Sequence, residues 1–138
     1  MGTNSIPEFT IDGTKATSIA SFAEEFSRSV LPTHKWNGHL DAFNDILTGG
    51  FGTPDGGFLL RWKHSAISRE QLGYPQTVRE LERRLTTCHP SNRNIVRREI
   101  LRAHRKEGPT AFDWLVEIIH DHGPGGRQAG DGVTLSLE

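Results

Sequence analysis

The chain is poor in cysteine, methionine and tyrosine, with one of each, and poor in long apolar runs. The single thiol, Cys88, excludes an internal disulfide and suits a reducing compartment. No apolar stretch nears the roughly 18 residues of a membrane span. The opening MGTNSIPEF has neither the basic start nor the apolar core of a signal peptide. These absences lead to the expectation of a soluble, cytoplasmic protein. There is no cysteine cluster and no H-E-x-x-H motif, so the seven histidines are expected to be loop or surface residues rather than metal ligands. No metal and no cofactor is expected. At 138 residues, with 34% hydrophobic, the chain suffices for one domain with a core, and a single domain over 1–138 is expected.

Charge is present but unevenly spread. Residues 1–60 hold three cations (Lys15, Arg28, Lys35) against seven acids, whereas residues 79–107 hold nine cations against four acids. An acidic front half suits a cationic partner. The basic stretch suits an anionic partner or a solvated helix face.

Three strand signals stand far apart: Phe9-Thr10-Ile11 before an Asp12-Gly13 turn, the apolar run 57–62, and the alternating 133–137. Helical patterns fill the gaps. Thr17 or Ser18 is placed to cap a helix whose Ile19, Phe22, Ala23, Phe26 and Val30 form one stripe, stopped by Pro32. A second helix is expected from about His39 to Leu47, with Leu40, Phe43 and Leu47 inward. Pro75 suits the first turn of a third, broken at Cys88-His89-Pro90; a fourth carries Ile95, Val96, Ile100 and Ala103. Thr110 is placed to cap the last, with Phe112, Leu115, Ile118 and Ile119 inward. The Gly-rich loop 123–132 is expected to be mobile. It follows a helix and precedes a strand, the reverse of a phosphate-binding loop. Strands separated by helices imply an α/β fold with a small parallel sheet.

The segment Leu40–Gly49 carries the most chemistry. Asp41, Asn44, Asp45 and Thr48 fall at i, i+3, i+4 and i+7, on a face apart from Leu40, Phe43 and Leu47. Carboxylates four apart repel, and Asp is a mediocre helix former. The dipole favours Asp41 near the helix start but not Asp45 further in. On spacing alone a solvated face is the commoner outcome. No nucleophile or base accompanies the acids, so they are not expected to be catalytic.

The segment resembles the barstar family, intracellular inhibitors of barnase-type ribonucleases. The resemblance rests on Leu31-Pro32, Trp36, the helix Leu40-Asp41-Ala42-Phe43-Asn44-Asp45-Ile46-Leu47-Thr48-Gly49, the strand ending Arg61-Trp62, and the order of elements. It covers residues 8–64 well and 110–137 loosely. It implies a three-stranded parallel sheet packed by helices, with an enlarged helical insertion at about 65–108. It also implies a cationic ribonuclease partner in a one-to-one complex, met by a loop and the acidic helix. Asp41 and Asp45 match the family's two contact aspartates, and Thr48 and Gly49 its helix end. Carboxylates substitute for phosphate because both accept paired hydrogen bonds from Arg. The sequence departs from the pattern where the family has Trp, at Asn44 and Gly50, and in a loop lengthened to His34-Lys35-Trp36-Asn37-Gly38, in which only Trp36 is aromatic. The expected contact set is Trp36, Asp41, Asn44, Asp45, Thr48, Gly49 and Gly50, with His34 and Lys35 beside them. Asp113 is the nearest match to a further acidic contact near the start of the last helix.

The expected function is therefore immunity- or antitoxin-like inhibition of a ribonuclease, protecting the cell that makes it, by a protein that is not an enzyme. The alternative is a nucleic-acid-binding module using 79–107. It lacks aromatics for base stacking there, so a solvated amphipathic face is expected and nucleic acid is not the expected partner. Cys88 is expected to be a bystander.

Overall fold

The computed structural model describes residues 6–138. Strands β1 (Glu8–Asp12), β2 (Phe58–Lys63) and β3 (Val133–Leu137) form one three-stranded sheet in the order β1-β2-β3. Both pairings are parallel, with Ile11 opposite Trp62 and Phe58 opposite Val133. Two consecutive right-handed crossovers in a sheet of this order place their helices on the same face. The strands follow that rule. Ile11, Phe58, Leu60, Trp62 and Val133 are buried in the core, with Phe9 and Leu135 packed against it. The opposite face carries Glu8, Arg61, Lys63 and Glu138 as an ion-pair network, Arg61 to Glu138 at 2.8 Å and Lys63 to Glu138 at 2.7 Å. Arg61, then Lys63 and Ser136, hold the Glu138 carboxyl well below the usual carboxylate range.

Helix α1 (Ile19–Val30) begins at a capping box between Ser18 and Ser21 and buries the whole expected stripe. Helix α2 is Leu40–Thr48. After β2 comes a short helix, α3 (Ser65–Gln71), which the periodicity did not reveal. Its buried Ser68 accepts from Trp62 Nε1 at 2.9 Å and donates to the Gly13 carbonyl at 2.8 Å, tying β2 to the end of β1. Helices α4 (Tyr74–Thr87) and α5 (Arg93–His104) form a hairpin around Val78, Leu81, Val96 and Ala103, a small cluster separate from the main core. Trp114 on α6 (Ala111–Asp121) packs against both clusters and joins them. The fold is thus the expected α/β arrangement, with the helical addition as a hairpin on the α6 side.

The loop 123–132 is tied down rather than free. The Gln128 N–H donates to the Asp121 carbonyl at 2.7 Å, Arg127 pairs with the Asp121 carboxylate at 2.7 Å, and a 3-10 turn spans Ala129–Asp131. The Arg127 hydrogen bond, against burial, lowers the Asp121 pKa.

Candidate functional site

Helix α2 is held from below by Phe43, Ile46 and Leu47, at most 6% exposed. Its outer side presents Asp41 and Asp45, both exposed and one turn apart. Among the described residues neither carboxylate makes an ion pair or a side-chain hydrogen bond. In contrast Glu25, on α1, is 6% exposed and accepts from Arg28 at 2.9 Å and from the Asp12 N–H at 3.1 Å. Burial pushes the Glu25 carboxyl up, but these hydrogen bonds outweigh it and leave its pKa lowered. The chain therefore satisfies its interior acid and leaves the two on α2 unmatched.

Trp36, expected in the contact set, is buried in the core. It is 2% exposed, stacks on Phe43 with ring centroids 4.4 Å apart, and donates Nε1–H to the His39 carbonyl at 2.8 Å. Its own N–H donates to Ser27 Oγ at 2.9 Å. An indole in a lengthened loop gains more from a slot between α1 and α2 than from solvent, and there it sets the entry of the chain into α2. His34 and Lys35, beside it in sequence, are exposed.

Asn44 also departs from the expected surface role. It is half-buried, and its Oδ1 lies 2.8 Å from Nε2 of His122, whose Nδ1 lies 2.7 Å from Asp131 Oδ2. His122 is fully buried, contrary to the surface role expected for it. A charged ring donates to both partners as they stand; a neutral ring that donates to Asp131 leaves Nε2 to accept, and then the Asn44 amide is turned so that its NH2 faces the ring. Either way α2 is clamped to the end of α6 and the loop 123–132. A second tie, Thr48 Oγ1 to Gln128 Oε1 at 3.3 Å, is weaker.

The helix ends at Gly49 and Gly50, both with positive φ, at 126° and 89°. A Cβ at either would meet nothing, so backbone conformation and not space calls for glycine. The next residue, Phe51, is 43% exposed and lies edge-on to His34 at 6.4 Å. This exposed aromatic was missed in the sequence; the signal was a Phe flanked by glycines, with no periodic partner. Asp113 is exposed, but its carboxylate accepts from the Thr110 N–H in the α6 capping box, so it is used within its own helix.

A cleft of about 870 Å³ runs from the start of α2 to α4 and α6, with Asp41, Arg83, Arg84, Trp114 and Arg127 among its walls. Its arginines are engaged: Arg83 with Glu80 at 3.5 Å, Arg84 over the Trp114 ring at 5.2 Å, and Arg127 with Asp121. They do not neutralise Asp41.

The structure thus brings Asp41, Asp45 and Thr48 onto one exposed side of a rigid helix, with Gly50 beyond its end. A family model described as Barstar (barnase inhibitor) matches residues 6–95, about two thirds of the chain. The chain belongs to the barstar family. No curated protein and no solved structure matches it. The match contains β1, α1, α2, β2, α3 and α4 of this barstar-family chain and stops at the start of α5. It therefore reaches further into the helical hairpin than the resemblance over 8–64, while α6 and β3 lie outside it. No helix among the described residues is long and apolar enough to cross a membrane.

Proposed function

We propose that this chain inhibits a barnase-type ribonuclease stoichiometrically, in the cytoplasm of the cell that makes it, by presenting Asp41 and Asp45 to the cations that hold RNA phosphate. One observation carries this reading: two exposed carboxylates without an ion-pair partner, on a helix fixed by core packing and by the Asn44–His122 clamp. Preorganised acids lose little freedom on binding, and Arg forks pair with carboxylate as with phosphate. Thr48, Gly49 and Gly50 form the far edge of the contact, with Phe51, His34 and Lys35 beside it. The chain itself performs no chemistry in this role.

The experiment is a titration of a barnase-type ribonuclease with the purified chain. Activity should fall linearly to near zero at about one equivalent, and the chain alone should leave RNA intact. RNA cleavage by the pure chain, abolished by one substitution, would overturn the reading.

A further inference from the structure

We propose that the outer face of α5 docks in the major groove of duplex DNA. The site is independent of the acidic helix. Helix α5 packs through Val96, Ile100 and Ala103 into the hairpin and turns its other side to solvent. On that side Asn94, Arg98, Leu101 and Arg105 follow at i, i+4, i+7 and i+11, a single stripe. Arg97 and Arg102 lie on opposite flanks of it, at about 70° to either side for about 100° per residue. All six are exposed, and Leu101 is 56% exposed, more than any other large apolar side chain among the described residues. Among the described residues none of these arginines has an ion-pair partner; Arg97 donates to Asn94 Oδ1 at 3.2 Å. On α4, by contrast, Arg83 and Arg84 are occupied by Glu80 and Trp114, which leaves Arg79 alone.

The geometry selects the occupant. A convex helix fits the roughly 12 Å major groove of B-form DNA, whereas the major groove of duplex RNA is deep and narrow and excludes it. Flanking arginines then reach the phosphates on both walls. The stripe at the floor carries the residue types that address base edges, Arg for guanine and Asn for adenine, with Leu101 for apolar contact. Helix α5 has no aromatic residue for stacking single strands. It has no continuous apolar face for a bilayer either, since that face is used by α4.

The test measures fluorescence anisotropy of a labelled DNA duplex of about 20 base pairs, with the full chain, at several salt concentrations. The expected affinity for a random sequence is of micromolar order at low salt. Four phosphate contacts, from the flanking Arg97 and Arg102 and from Arg93 and Lys106, exposed at the start of α5 and just past its end, give a log–log slope of about −3.6, a loss of roughly 100-fold between about 50 and 200 mM salt. Arg97→Gln with Arg102→Gln should reduce that slope by about 1.8 with unchanged melting temperature, and Arg97→Lys with Arg102→Lys should keep it. No salt-sensitive binding at micromolar concentrations would overturn the proposal. So would a wild-type slope in the glutamine variant, or equal binding to an RNA duplex of the same length or to phosphatidylglycerol vesicles.

Discussion

Trp36 separates two accounts of the loop before α2, one in which the indole touches a partner and one in which it is core. Its 2% exposure and its 4.4 Å stack on Phe43 favour the second and allow a magnitude to be worked. Truncation of a large buried aromatic to Ala costs about 3–5 kcal/mol. Loss of the Nε1–H bond to the His39 carbonyl adds about 1 kcal/mol. For a chain of this length Trp36→Ala should lower the melting temperature by about 10–20 °C. Trp36→Phe keeps the stack and loses the donor, so it should cost about 1–2 kcal/mol. Urea unfolding gives the free energies, and titration against a ribonuclease well below the melting temperature gives the affinity. A Trp36→Ala chain that melts like the wild type but no longer binds would refute the core assignment and restore the indole to the contact surface.

The clamp on α2 predicts coupling. In a cycle of Asn44→Ala and His122→Ala the two losses of stability should be non-additive by about 0.5–3 kcal/mol; additive losses would mean that the Asn44–His122 bond contributes nothing. The Glu25 carboxyl, with folded pKa below the ordinary glutamate value of 4.5, contributes stability that is full above 4.5 and is lost as pH falls through the lower folded value. The melting-temperature gap between wild type and Glu25→Gln should therefore be constant near neutrality and close below about pH 4, and a gap that widens in acid would contradict this.

The elements legible in the sequence are those with a local period. The α1 and α6 stripes repeat over a few residues, and burial followed the repeat; on the polar face of α2 it did so for Asp41, Asp45 and Thr48, and in β3 only at the start, where Val133 is buried while Leu137 is 39% exposed. What was misread depends on distant partners. Trp36 sits in a loop with no period, and its slot is made by Phe22, Phe26 and Phe43. The role of His122 depends on Asn44, 78 residues away. Asn44 itself has the spacing of a surface residue, yet α6 passes close enough to claim it. Helix α3 is too short to show a stripe, and its structural residue is a buried serine. The Gly-rich loop looked mobile by composition, but Asp121 and His122 hold it.

The central claim is that Asp41 and Asp45 form the contact with a cationic ribonuclease. The most direct measurement is the inhibition constant of wild type, Asp41→Ala and Asp45→Ala against a barnase-type enzyme, at low and physiological salt, with melting curves alongside. Asp45 lies deeper along the helix, further from the N-terminal dipole, and should be the more fully enclosed of the two. Removing it leaves partner cations unpaired, which costs about 2–5 kcal/mol, a range set by charge-pair truncations in other interfaces, the barnase–barstar pair among them. That corresponds to roughly 30-fold to several thousand-fold weaker inhibition, with Asp41→Ala second, association slowed by salt, and melting temperature unchanged or slightly raised as the i, i+4 repulsion is relieved. Unchanged inhibition by Asp45→Ala would contradict the account, and a large fall in its melting temperature would make Asp45 a structural residue instead.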